Sequence, residues 1–335
     1  MEFLIYSLAW GMALALMASG LSFYYAVSKV ANFAHGEYVS VGAIAYLFLV
    51  GLEYGLDKCR GFNIVNYAML TLDKLWIIAA VFIIGGLVAA ASFVVVFWPL
   101  MRRGASPLQL MVVSIGLMFI LRFILYVVAS TFDWLTLPSP QATTFNVAGV
   151  RVNLAEVLAM ILAVIATVSI ALFTTKTLLG ISMRAVADNP DLAEASGISS
   201  FRVQLVAWFI GGGLAAVGGV LMFILTGPPG ERPIVEIGWM NLLSIFAAAT
   251  LGGLGSFYGT LAGSIILGLA YNQVAAWLLD IGLDPQLALA VPFSVTLFVL
   301  LFMPQGLAGV DWHGLLARVQ KKVGLRGGGG VGGSL

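Results

Sequence analysis

The sequence predicts an all-α polytopic membrane protein, with about eight or nine transmembrane or re-entrant helices and a short cytoplasmic helix between two of them. Hydrophobic residues make up 61% of the 335 residues and charged residues 9%, so the chain cannot dress a soluble fold of this size with a polar surface. The apolar residues come in long unbroken runs, not in the short alternating segments of a membrane β-barrel. In hydrocarbon each backbone polar group must be satisfied internally, and such runs achieve that as helices.

A span needs about 20 mainly apolar residues to cross roughly 30 Å of hydrocarbon. In order, the candidate runs are 4–27, 36–52, 75–98, 107–129, 153–173, 203–226, 238–256, 260–280 and 287–303. The first opens Met-Glu-Phe and stays apolar to Val27. A secretory signal would open with positive charge and carry an apolar core of about 7–15 residues, so this run is read as a membrane helix. The second run is short and the seventh ends rich in glycine, so one of them is expected to be re-entrant or interfacial. Residues 1–310 then form one transmembrane domain, and 311–335 a flexible cytoplasmic tail.

Orientation follows from the basic residues. Lys29, Arg102, Arg103, Lys176, Arg184 and Arg202 fall in loops on one side, which the tail joins with Arg318, Lys321, Lys322 and Arg326. The other side holds Lys58, Arg60, Lys74, Arg151 and Arg232 among the acids Glu53, Asp57, Asp73, Asp133, Glu231 and Glu236. Nine crossings satisfy this division, with the N-terminus outside and the C-terminus cytoplasmic.

Several function classes drop out. The single cysteine, Cys59, allows no intramolecular disulfide, and two histidines without H-E-x-x-H spacing give no metal centre and call for no cofactor. No G-x-x-x-x-G-K-[ST] occurs, so ATP that drives this protein must be bound by another chain. Glycine crowds two regions, Gly211, Gly212, Gly213, Gly218 and Gly219 in one span and Gly252 to Gly268 in another, including the G-x-x-x-G of Gly259 and Gly263. Tight helix packing is the expected use.

The polar stretch Lys176–Arg202 is too polar to span and too well punctuated to be slack linker. Asn189 suits a helix N-cap, Pro190 the first helical position and Asp191 the positive helix end, and Gly197 can close the helix in a left-handed conformation. One or two turns are predicted, with Ala193 and Ala195 giving a small-residue surface. A short rigid helix between two spans can transmit a push to both.

Five stretches resemble the permeases of branched-chain amino acid ABC importers: N-F-A-H-G-E (Asn32–Glu37), S-I-G-L (Ser114–Leu117), G-I-S-M-R-A-V-A-D-N-P (Gly180–Pro190) followed by S-G-I, T-L-G-G-L-G-S-F-Y-G (Thr250–Gly259) and M-P-Q-G-L (Met303–Leu307). They lie in order along nearly the whole chain. The resemblance implies a non-catalytic permease of the plasma (inner) membrane, working with a second permease subunit, identical or homologous, two ATPase subunits and an extracytoplasmic substrate-binding protein, and with no nucleic acid. It also implies that 176–202 is the cytoplasmic coupling loop, with Arg184, Asn189, Pro190, Asp191, Glu194 and Gly197 as the ATPase-coupling residues. The polar insert Glu53–Lys74 and the F-Y-Y-A-V-S-K-V before Asn32 depart from the family pattern. The insert could adapt the outer face to a binding protein.

Six polar residues are candidates for the translocation pathway or for a network at helix ends: Asn32, His35, Glu37, Arg122, Asn272 and Gln273. The topology places His35 and Glu37 near the cytoplasmic end, either tying helix ends together with Asn32 or lining the inner exit. Arg122 lies about 10 Å from the outer end of its span at 1.5 Å per residue. Glu37 then falls near the opposite face, and Glu156, about 5 Å into the next span from the outer side, is the expected partner of Arg122. Alternatively Arg122 attracts a substrate carboxylate; on either reading Arg122→Ala impairs uptake. Asn272 and Gln273 are expected to bond between helices or to line the pathway. A permease for urea or short amides is the competing reading within transport. An autonomous channel or secondary transporter is the competing reading from another class.

Overall fold

The computed structural model describes residues 2–138, 140, 142–147, 149–226 and 233–309. The proposed 311–335 tail, Glu231 and Arg232 lie outside these residues. Among the described residues nine helical runs are long and apolar enough to cross a membrane, and they match the nine runs read from the sequence.

The elements are α1 (Glu2–Ser28), α2 (His35–Tyr54), the short α3 (Asn63–Tyr67), α4 (Leu75–Ser92), which continues through a π-helical stretch Phe93–Phe97 into α5 (Trp98–Arg102), and α6 (Pro107–Thr131). A hairpin of β1 (Thr144–Val147) and β2 (Val150–Asn153) leads into α7 (Leu154–Lys176). Then come α8 (Leu178–Asp188), α9 (Pro190–Ala195), α10 (Ser200–Leu225), α11 (Ile237–Gly252), α12 (Phe257–Asp280) and α13 (Ala290–Phe302). Helix starts are written locally. Ser106 and Gln109 close a capping box on α6 with Pro107 in the first turn, and Asn153 and Glu156 close another on α7.

Helix α10 is the centre of the bundle, packed by α1, α2, α4 and α7. Its glycines let neighbouring backbones touch. A Cβ on Gly211 would lie 2.5 Å from the Gly20 carbonyl oxygen of α1, and one on Gly219 would lie 2.1 Å from the Val39 oxygen of α2. Packing at this distance lets van der Waals contact replace the apolar burial that lipid does not reward. Trp208 of α10 is fully buried and stacks against Tyr24 at 4.5 Å, with Phe93 and Phe97 of the π-helical stretch around it. By contrast α6 and α13 expose rows of large apolar residues, among them Phe123, Val127, Leu297 and Leu301, as lipid-facing helices do.

The main departure from the sequence reading is the entry to α2. Lys29 adopts a left-handed conformation (φ 55°) at the end of α1 and turns the chain back. Val30, Asn32 and Ala34 are buried, so 30–34 is not a surface loop but a segment climbing back into the bundle. His35 Nε2 meets the Met17 carbonyl at 2.8 Å, and Met17 lies 11 residues, about 16 Å, before the end of α1. Helix α2 therefore begins in the middle of the bundle, and His35 and Glu37 are not at its cytoplasmic end. Six residues reach up to about 20 Å when extended, enough for this return.

Gly36 makes the position workable. It lies on Gly238, where a Cβ would come within 1.7 Å of the Gly36 carbonyl oxygen. Ser40 Oγ donates to the Val235 carbonyl at 2.7 Å and accepts from Gly238 N at 3.0 Å, tying the starts of α2 and α11 together.

At the end of the bundle that is expected from the charges to face outside, side-chain bonds hold the insert after α2. Trp134 Nε1 donates to the Cys59 carbonyl at 2.8 Å, Arg60 Nη2 to the Thr131 carbonyl at 2.7 Å, and Tyr46 Oη to the Ala68 carbonyl at 2.9 Å.

Candidate functional site

The charged groups within the bundle converge where α2, α6 and α11 meet. Glu37 is fully buried, and Arg122 of α6 donates to its Oε1 through Nε at 3.1 Å and through Nη2. This corrects the expected pairing of Arg122: Glu37 is its partner and Glu156 is not. Glu156 turns back on its own helix start, where Oε2 accepts from Asn153 N at 2.9 Å. The error lay in the depth of α2: once α2 starts in mid-bundle, Glu37 reaches the level of Arg122.

Two elements that sequence reasoning missed complete the cluster. Glu236, just before α11, accepts from Tyr126 Oη at 2.7 Å, and Tyr126 stands one turn along α6 from Arg122. Trp239, one turn beyond Glu236, lies under the Arg122 guanidinium at 4.8 Å from its ring centre. The Arg122 side chain is 12% exposed and Trp239 47%. The cluster therefore opens onto the outer face of this chain. Charged groups at membrane depth face a bundle interior or a water-filled path, not lipid. The signal for Glu236 was an acid immediately before an apolar run; it was counted as an outer loop charge, because nothing local ties it to α6.

The other candidates divide. Asn32 Oδ1 accepts from Ala34 N at 3.0 Å and closes the turn into α2. His35 carries its proton on Nε2, since a carbonyl can only accept. Beside them sit Tyr24, Tyr38 and Trp208, whose polar atoms, with Asn32 Nδ2 and His35 Nδ1, are buried without a hydrogen-bond partner among the described residues. Asn272 is buried, but its Nδ2 donates to the Gly268 carbonyl of its own helix at 2.9 Å rather than across helices. Gln273, next along α12, points outward and is exposed. The structure brings Glu37 and Arg122 together and leaves Asn272 and Gln273 apart from them. Among the described residues no group of His, Cys, Asp and Glu is arranged to hold a metal.

In the 176–202 loop the predicted helix forms. Asn189 Oδ1 accepts from Leu192 N at 3.0 Å, Pro190 opens α9, and Gly197 is left-handed at φ 84°. Helix α8, capped by Thr177 and carrying Arg184 on an exposed face, precedes it and was not foreseen. Ala193 is buried against the protein's own body, so the expected small-residue surface does not form; the outward face offers Asp191, Leu192, Glu194 and Ala195.

Nine apolar helices among the described residues, a charged cluster held between three of them and a structured polar loop define a multi-pass membrane transport protein. The family described as the branched-chain amino acid transport system permease component matches residues 3–300, and the chain belongs to that family. It is 28% identical over 313 residues to the probable branched-chain amino acid transport permease protein LivH of Methanocaldococcus jannaschii, covering 90% of each chain. It is 29% identical over 320 residues to the high-affinity branched-chain amino acid transport system permease protein LivH of Escherichia coli K12, covering 89% of this chain and 92% of that one. To BraD of Pseudomonas aeruginosa, a permease protein of the same description, it is 28% identical over 315 residues, with 91% and 94% covered. No solved structure matches the chain.

Proposed function

We propose that this chain is a permease subunit of an ATP-driven importer, and that with a second permease subunit it forms the path for branched-chain or related amino acids handed over by an extracytoplasmic binding protein. Two ATPase subunits drive it from the cytoplasmic side, where the C-terminus also lies. The observation that carries this reading is the surface of α8 and α9. Leu178 is 85% exposed, Leu192 64% and Ile181 50%, set among the exposed Arg184, Asp191 and Glu194. Large apolar residues displayed on a short, capped, polar loop suit a protein contact. Helix α8 packs on α1, α7 and α10, and α9 on α8 and α10, so a displacement of this pair is delivered to the helix at the centre of the bundle.

In this reading Arg184, Asn189, Pro190, Asp191, Glu194 and Gly197 position or form the contact with an ATPase. The Glu37–Arg122 cluster lies on the wall of the path. The test is purification of the complex in mild detergent, followed by uptake in proteoliposomes. ATPase chains and a second permease subunit are expected to accompany this one, and uptake is expected to require ATP and the binding protein. Recovery of this chain alone, transporting without ATP, overturns the reading in favour of a channel or secondary transporter.

A further inference from the structure

The α2–α6–α11 cluster does not balance its own charge. Among the described residues it holds two carboxylates, Glu37 and Glu236, and one guanidinium, Arg122. The guanidinium is committed to Glu37 through two of its nitrogens. Tyr126 gives Glu236 a hydrogen bond but no charge. Glu37 Oε2, sealed from solvent, has no hydrogen-bond partner among the described residues. An anion at membrane depth is costly unless it is paired or takes up a proton, and a cation that reaches Glu236 supplies such a pairing. That cation must arrive from the open side, past Trp239, whose π-face already carries one cation and whose flank offers apolar surface.

We propose that Glu236, oriented by Tyr126 beside the Glu37–Arg122 pair and Trp239, is an ammonium subsite on the pathway wall, and that it fits this permease to zwitterionic amino acids rather than to neutral amides. The inference rests on the importer reading above and deepens it. The α-ammonium of an amino acid supplies the missing positive charge, with three donors for the Glu236 carboxylate. Its carboxylate can meet the remaining N–H groups of Arg122, and an aliphatic side chain can lie along Trp239. Urea and short amides bring no charge and leave the cluster unbalanced. Glu236 lies just before α11 beside Tyr126, which is five residues, about 8 Å, short of the end of α6 that faces the side where a binding protein would release its cargo.

The test uses the whole transporter, with its ATPases, second permease subunit and binding protein, in proteoliposomes, and compares leucine with isovaleramide. Glu236→Gln keeps shape and removes charge, and Glu236→Asp keeps charge. Glu236→Gln is expected to lower leucine uptake about tenfold, the scale of one charge-assisted hydrogen bond, in a complex that still assembles with its ATPases and second permease subunit. Glu236→Asp is expected to recover most of the uptake. Undiminished leucine uptake by Glu236→Gln overturns the subsite and leaves the importer reading standing. Loss of uptake and ATP hydrolysis together in both variants makes Glu236 a structural residue and also overturns it. A wild-type complex that moves isovaleramide but not leucine overturns the subsite and the amino-acid reading alike.

Discussion

Asn32 and Asn189 make related bonds. Each side-chain oxygen accepts from a backbone N–H at 3.0 Å, two residues on in the turn before α2 and three residues on at the N-cap of α9. Yet Asn32 is wholly buried in mid-bundle, and Asn189 stands exposed on a loop between spans. The difference comes from what surrounds the turn. Gly36, four residues after Asn32, lies backbone to backbone on Gly238, so α2 can start deep against α11. Around Gly197, a Cβ would meet nothing within 4 Å. Turn chemistry starts a helix; backbone contact sets its depth.

The largest effect that separates the two regions comes from these glycines. Gly238→Leu should leave no monodisperse folded chain on size-exclusion in detergent, because its Cβ alone overlaps the Gly36 carbonyl. Gly197→Leu should fold, losing about 1–2 kcal/mol for the left-handed conformation. Equal recovery of both variants would remove the distinction.

Next come the two asparagines. Asn32→Ala leaves the buried Ala34 N–H unmet and should cost about 1–3 kcal/mol, against about 1 kcal/mol for Asn189→Ala, where solvent can replace the lost bond. Thermal unfolding in one detergent reads the difference, and a larger loss for Asn189→Ala would reverse it.

Function should divide the regions the other way. Leu178→Asp is expected to cut ATP-dependent uptake about tenfold with unfolding unchanged, as loss of an exposed contact residue does. Uptake at the wild-type rate would remove α8 from the ATPase contact.

The smallest effect is chemical. Cys59 is buried and burial pushes its thiol up, so a membrane-impermeant maleimide should label it on the order of tenfold more slowly than a cysteine placed at the exposed Ala195, compared in inside-out and right-side-out vesicles. Comparable rates would show that the outer insert is open.

What the sequence made legible was what chemistry writes locally. Nine apolar runs, the Asn189–Pro190 start and the Gly197 turn all appear where the residues put them. The glycines of α10 packed helices together as that residue type suggested, although their individual neighbours could not be read. Depth was not legible. Placing the start of the 36–52 run at the cytoplasmic end put Glu37 at the wrong level and assigned Arg122 to Glu156. Glu236 and Trp239 are far from Glu37 in sequence and join its pair through Tyr126 and the Arg122 guanidinium, contacts that nothing local announces. Helix α8 was missed because Gly180 and Ser182 dilute a pattern that Thr177 caps.

The charged start of α2 is lodged in mid-bundle against α6, and a double-mutant cycle on Glu37 and Arg122 tests this placement most directly. Glu37→Gln and Arg122→Gln each strip one partner from a buried pair and should cost about 3–5 kcal/mol, while the double variant should cost less than either single one. Additive losses in unfolding, with the double variant the least stable of the three, would contradict the pairing and return Glu37 to the membrane edge.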